Sequence, residues 1–157
     1  MSRERRVDPQ ATIDLAVRVW LGVAPMSEVA DWVDAQLANV ARVDALLLQL
    51  AENRNRERHE VADDLLRASG VPEGEERTHR MIVALGAAFE RGEITIEVAA
   101  RFLVGAMGDR VRAARLISQA YGIEDAVELA DTGQYGTRED AAADLRALVS
   151  ASAKTLA

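Results

Sequence analysis

Apolar side chains recur at helical spacing along almost the whole chain. The first stripe runs through Ile13, Val17 and Trp20, and later stripes continue as far as Leu148. No stretch alternates apolar and polar residues at every second position with the β-branched and aromatic side chains typical of a half-buried strand. The pattern therefore predicts an all-α fold, a compact single-domain bundle of about eight helices arranged as helical hairpins.

Capping residues and glycines indicate where the helices begin and end. Asp8 directly precedes Pro9, which is the pattern of an N-cap residue followed by a proline in the first helical turn. Thr137 and Asp140 form a second N-cap pair. Glycine readily adopts the left-handed conformation that follows many helices. The glycines predicted to end helices or break the chain are Gly22, Gly70, Gly92, Gly108 and Gly122.

The length of the chain suits one helical domain over residues 1–157. A chain of 157 residues with 49% hydrophobic residues can bury roughly 70% of its unfolded surface. The loop of residues 70–74 joins two candidate halves, 8–69 and 75–150. Both halves contain a helix, an aromatic residue, a glycine and a second helix in that order, so a duplicated unit is left open.

Composition excludes several classes of protein. There is no cysteine, which removes disulfides, thiolate catalysis and cysteine-ligated metals. The net charge of −7 argues against a general binder of nucleic acid or of anionic membranes. No apolar run approaches the ~20 residues of a membrane span, and no apolar segment follows the basic start. We therefore expect a bacterial, cytoplasmic protein.

The chain has two histidines, His59 and His79. His79 follows Glu76 by three residues, the spacing found in di-iron helical bundles, but such a bundle needs two of these pairs. Arg56 stands three residues before His59, so the second pair is missing. Both histidines lie in polar, arginine-rich runs, which are typical of solvated side chains.

Carboxylates around His59 are a second candidate metal site. Glu57, Glu60, Asp63 and Asp64 follow at helical spacing, and magnesium sites do need several carboxylates, as in all-helical nucleotide pyrophosphohydrolases. Here the acids alternate with arginines, the pattern of a solvated face with i,i+4 ion pairs. No nucleophile elbow or phosphate-binding loop occurs. We expect no cofactor and favour a non-enzymatic protein, leaving a carboxylate–metal helical enzyme as an alternative.

A helix-turn-helix unit is the candidate for DNA binding. Residues 95–116 contain a predicted turn at 105–109 and then three arginines, Arg110, Arg112 and Arg115. Clustered arginines suit phosphate contacts. No asparagine or glutamine that could read a base accompanies them before residue 119, and the outer face of an amphipathic helix explains them equally well. A DNA-binding regulator is therefore kept as an alternative, although we expect no nucleic acid as partner.

Negative charge is concentrated near the end of the chain. From residue 116 onward seven acids oppose three bases, and residues 123–137 contain no base. Like charges on neighbouring helical turns repel, yet such a surface can attract a basic partner and speed association. Solubility is the competing interpretation. The seven acids are Glu124, Asp125, Glu128, Asp131, Glu139, Asp140 and Asp144.

Trp32 completes the candidate binding residues. It lies beside Asp31 and Val33, at a core edge or as an interface anchor, since tryptophan is enriched at binding hot spots. We predict a protein-binding module, such as an acidic immunity-like or antitoxin-like inhibitor or an adaptor. It would dock on another, basic protein through Trp32 and the seven acids. A homodimer is left open.

Overall fold

The computed structural model describes residues 7–39, 45–52, 56–108 and 114–157. These ranges contain eight α-helices and no strand, which confirms the predicted all-α fold. None of the described helices combines the length and apolarity that a membrane span requires. The helices are α1 (Pro9–Trp20), α2 (Met26–Asn39), α3 (Ala45–Glu52), α4 (Arg58–Ala68), α5 (Glu75–Glu90), α6 (Ile96–Gly108), α7 (Ala114–Asp131) and α8 (Arg138–Leu156).

The chain consists of two compact units, Met1–Val71 and Pro72–Ala157. In the first unit α1 packs along α4, while α3 contacts α2 and α4. Both helices contribute fully buried side chains, among them Ile13 and Val17 of α1 and Leu65 of α4. Burying one such side chain stabilises a fold by about 1.5–3 kcal/mol. This single pairing therefore supplies a large part of the core of the first unit.

The predicted N-cap of α1 is confirmed by two hydrogen bonds. The Asp8 carboxylate accepts from the backbone N–H groups of Gln10 (3.0 Å) and Ala11 (3.2 Å). These are two of the N–H groups that the first helical turn leaves without a backbone partner. A local sequence pattern was sufficient to place this boundary.

The second unit repeats the pairing scheme of the first. Its first helix, α5, packs along its fourth, α8, and its third helix, α7, contacts α6 and α8. The core of this unit is mainly aliphatic. Its largest fully buried side chains are Ile82, Leu85, Leu103 and Leu145.

Gly86 allows α5 and α8 to approach each other closely. A Cβ atom at this position would lie 2.5 Å and 2.7 Å from the two Cγ atoms of Val149. Real Cβ atoms do not come so close to other atoms, and Val149 is β-branched and therefore stiff. The α5–α8 interface thus depends on the missing side chain of Gly86.

The predicted helix end at Gly122 is wrong, because α7 continues through it to Asp131. The predicted turn at 105–109 starts too early, since α6 continues through Gly105 and ends at Gly108, where a break was predicted. A glycine inside a helix costs about 1 kcal/mol relative to alanine. In α7 the buried residues Ile123 and Val127, on the far side of Gly122, stabilise the continuous helix. The predicted ends at Gly22 and Gly92, with φ of 73° and 71°, are confirmed.

We expect Gly86→Ala to lower the free energy of unfolding by about 1–2 kcal/mol, measured by urea titration. Overpacking costs about 1–3 kcal/mol, and the higher helix propensity of alanine offsets up to about 1 kcal/mol.

Gly105→Ala is the matched control, since a Cβ there meets nothing within 4 Å. This variant should be as stable as the parent or more so. Adding Val149→Ala to Gly86→Ala should recover part of the loss. Equal effects of alanine at both glycines would contradict the packing argument.

Candidate functional site

All seven predicted acids lie on α7 and α8, which pack against each other in the second unit. Glu124, Asp125, Glu128 and Asp131 belong to α7; Glu139, Asp140 and Asp144 belong to α8. Six of them are exposed to solvent, and Glu124 is half-buried. The pairing of the two helices therefore gathers the predicted acids on one part of the second unit.

Asp131 forms an ion pair with an arginine. Arg138 donates to its carboxylate from Nε (3.0 Å) and Nη2 (2.9 Å), and the same Nη2 lies 2.9 Å from Glu97 Oε1. The hydrogen bond and the charge of Asp131 raise the pKa of Arg138 above its ordinary value. The three side chains join the end of α7 to the first turns of α6 and α8. Asp131 thus has a structural role, because its ion pair links these helices.

Glu139 also has an arginine partner. Arg146 donates from Nη1 to Glu139 (3.1 Å) and from Nε to Glu90 (2.7 Å), and its guanidinium lies 5.5 Å from the centre of the Phe89 ring. The hydrogen bonds that Arg146 donates to Glu90 and then to Glu139 raise the pKa of Arg146. This arrangement, with a cation–π contact, ties α8 to the last turn of α5.

Asp140 caps α8, as predicted. Its carboxylate accepts from the Thr137 backbone N–H (2.7 Å), while the Thr137 hydroxyl accepts from the Asp140 backbone N–H (3.2 Å). This reciprocal pair is a capping box, which satisfies the free N–H groups of the first turn. Asp140 is therefore part of the helix start.

The other four acids have no such role. Within the described ranges, no hydrogen bond or ion pair involves the side chains of Glu124, Asp125, Glu128 and Asp144. A charge without a neighbouring countercharge contributes fully to the field around the protein. These four acids, unlike Asp131, Glu139 and Asp140, have no contact within the described fold that a partner would have to break.

Exposed apolar side chains accompany two of these acids. Tyr121 (48% exposed) and Leu129 (38%) lie on α7 at helical spacing with Asp125 and Glu128. We call these four residues the α7 outer face. Tyr135, in the turn after α7, is 80% exposed. Tyr121 and Leu129 were not recognised from the sequence, because the predicted helix end at Gly122 separates Tyr121 from the other three residues, whereas the continuous helix places all four on one side.

A groove of about 310 Å³ separates α7 from α8. Its α7 wall is formed by Gln119, Gly122 and Ile123, and its α8 wall by Asp144, Ala147 and Leu148. Asp144 is therefore a polar group beside a mostly apolar depression.

Trp32 lies on α2, in the first unit, whereas the seven acids lie in the second. Its side chain is half-buried, and the neighbouring Val33 is 1% exposed. Both sequence interpretations, a core edge and an interface anchor, fit this degree of burial. Its role in partner binding stays a prediction.

The carboxylates around His59 do not form one solvated cluster. His59, Glu57 and Glu60 are exposed, but Asp64 is only 2% exposed and binds the guanidinium groups of Arg56 and Arg67, the latter at 3.2 Å. The expectation that Asp64 belongs to a solvated face is wrong, because α4 turns it toward the interior. In the part of the chain that the structure describes, no three histidine or carboxylate side chains are placed to share a metal ion.

His79 is buried, not solvated as its polar neighbours in the sequence suggested. It is 6% exposed, with Nδ1 3.0 Å from Ser152 Oγ and Nε2 3.6 Å from Glu75 Oε1. The packing of α8 on α5 covers it. A serine, a histidine and a carboxylate in series resemble a hydrolytic triad, but Ser152 is 0% exposed. A substrate cannot reach Ser152 there, so the contact is structural.

The predicted DNA-binding arginines are only partly described. Arg110 and Arg112 lie outside the described residues, and Arg115 is exposed near the start of α7. The predicted turn at 105–109 does not begin at Gly105, which is helical. The DNA-binding alternative stays a prediction.

Comparison of the chain with known protein families, with characterised proteins and with solved structures finds no match.

We expect Ser152→Ala to lower the free energy of unfolding by about 1–3 kcal/mol, because it leaves the buried His79 Nδ1 without its partner. Thermal or urea unfolding measures the loss. Ser150→Ala is the control, since Ser150 is an exposed serine of the same helix. If the two variants were equally stable, the His79–Ser152 bond would have no structural role.

We expect the stability contributed by Glu97 to depend on pH. The Glu97 backbone N–H, the Thr95 hydroxyl and Arg138 lower the pKa of Glu97 from its ordinary value of 4.5. A carboxyl whose pKa is lower in the folded state stabilises the fold above its unfolded pKa, and this stabilisation is lost as the pH falls. The difference in unfolding free energy between the parent and Glu97→Gln should therefore be largest above pH 4.5 and shrink below it. A difference that stays constant from neutral to acid pH would contradict this assignment.

Proposed function

We propose that this chain is a non-enzymatic protein-binding module that docks on a basic partner protein through the second unit. The observation that carries the proposal is the composition of the α7 outer face. There, Asp125 and Glu128 are exposed, lack a countercharge within the described ranges, and stand beside exposed Tyr121 and Leu129. Solubility alone would explain the acids but not the large apolar side chains among them.

The two kinds of side chain on this face have different roles in association. Exposed carboxylates attract a basic surface and orient it before contact, which raises the association rate. Tyrosine supplies a large, rigid contact area and is enriched at binding hot spots. We therefore assign orientation to Asp125 and Glu128, and retention of the bound partner to Tyr121 and Leu129.

The three acids that have contacts within the fold are not assigned to docking. Asp131 and Glu139 are ion-paired, and Asp140 caps α8. Drawing any of them to a partner would break contacts within the fold. Docking is therefore assigned to the four other acids, Glu124, Asp125, Glu128 and Asp144.

Two modes of action are compatible with docking through this surface. A module without a reactive group of its own can act by covering a basic surface of its partner, as an immunity-like inhibitor does, or by linking that partner to another protein, as an adaptor does. Both use the same docking face and the same charge complementarity.

The double variant Asp125→Arg/Glu128→Arg should lose its partner. The experiment uses the immobilised full chain to capture partners from an extract of the source cells, and then titrates the recovered partner at two salt concentrations. We expect the association rate to fall on the order of tenfold or more, because steering is reversed, and the parent's affinity to weaken with salt.

Glu52→Arg/Glu73→Arg is the control, since it makes the same change in net charge at exposed acids of α3 and of the loop before α5. It should bind almost as the parent does. Tyr121→Ala should mainly raise the dissociation rate, with a loss of more than about 1 kcal/mol in binding free energy. Equal effects of the two charge reversals, or affinity indifferent to salt, would contradict docking through the α7 outer face.

A further inference from the structure

We infer that the groove between α7 and α8 is a socket for an arginine side chain of the basic partner; this inference rests on the proposed function. The groove, of about 310 Å³, is lined on both sides by small or aliphatic groups, Gly122 and Ile123 on α7 and Ala147 and Leu148 on α8. Asp144 and Gln119 are its polar lining residues.

The chemistry of the lining matches a long side chain with an apolar stem and a cationic end. Such a side chain buries its methylene groups against apolar surface and keeps its charge beside polar groups. The Asp144 carboxylate is exposed and has no other partner among the described residues, so it is available to accept from a cation. Negative charge at this groove disfavours a phosphate or a carboxylate as its occupant.

Arginine fits this lining better than lysine. The planar guanidinium presents several N–H donors in a fixed fork, so it can donate two hydrogen bonds to the Asp144 carboxylate. A lysine ammonium is a more strongly hydrated point charge without that geometry. The socket should therefore distinguish the two cations.

Gly122 contributes to the shape of the groove and supplies a position at which the groove can be filled. Gly86, also inside a helix, is explained by its close approach to Val149. At Gly122 a Cβ atom would meet nothing within 4 Å, so packing inside the fold does not require glycine there. The missing side chain keeps one wall of the groove low. Gly105 has equally open space but does not line the groove, which makes it a matched control.

The test uses the full chain and a defined probe, the peptide acetyl-Ala-Ala-Arg-Ala-Ala-amide. It is compared by NMR titration with peptides that carry lysine or citrulline in place of arginine. For the arginine peptide we expect saturable shifts at the amide signals of Gly122, Ile123 and Leu148, with a dissociation constant on the order of 1 mM. The lysine peptide should bind several-fold more weakly. Citrulline has nearly the shape of arginine but no charge, and should not bind measurably.

Gly122→Leu should abolish binding of the arginine peptide, whereas Gly105→Leu should leave it unchanged. Asp144→Asn should weaken it several-fold. If Gly122→Leu fails to fold, Gly122→Ala replaces it, with unchanged or higher thermal stability and weaker peptide binding expected. The inference would be overturned by chemical-shift changes that do not saturate or that persist in Gly122→Leu. Equal changes for the arginine and lysine peptides would also overturn it.

Failure of the socket can be told from failure of the proposed function. If the captured partner is lost on Asp125→Arg/Glu128→Arg but is held normally by Gly122→Leu, docking on the α7 outer face stands and the socket is wrong. If neither variant affects the captured partner, both are wrong.

Discussion

The packing of α5 along α8 is the constraint on which the second unit depends. Two specific contacts lie in this interface: the close approach of Val149 to Gly86, and the hydrogen bond between His79 and Ser152. Helix α7 packs on α8 in turn, so the carboxylates of α7 are held in place through a helix that they do not belong to. The position of the acidic surface is thus set by a glycine far from it in the sequence.

The sequence predicted those features that depend on neighbouring residues only. The N-cap at Asp8, the capping box of Thr137 and Asp140 and the helix end at Gly22 all follow from local backbone chemistry, and all were confirmed. Gly122 and His79 were wrongly interpreted because tertiary packing decides both. Core packing keeps α7 helical across Gly122 despite the low helix propensity of glycine. Helix α8 covers His79, although the sequence neighbours of this histidine are polar.

The number of charged residues could be read from the sequence, but which acids form ion pairs could not. Arg138 binds Asp131 and Arg146 binds Glu139, in both pairs at a separation of seven residues, beyond the i,i+4 spacing by which ion pairs are recognised in a helix. In the sequence, Asp131 and Glu139 therefore looked equivalent to the acids without a partner. The structure separates those that hold the fold together from Glu124, Asp125, Glu128 and Asp144, which do not.

The aromatic residues are divided between the two units. Both tryptophans, Trp20 and Trp32, belong to the first unit, and both tyrosines, Tyr121 and Tyr135, belong to the second. Tryptophan emission excited at wavelengths that tyrosine does not absorb therefore follows the unfolding of the first unit alone, whereas the circular dichroism of the helices follows both units. Coincident melting curves from the two signals would identify a single cooperative body, and separated curves would identify two that unfold in sequence, without any label being attached.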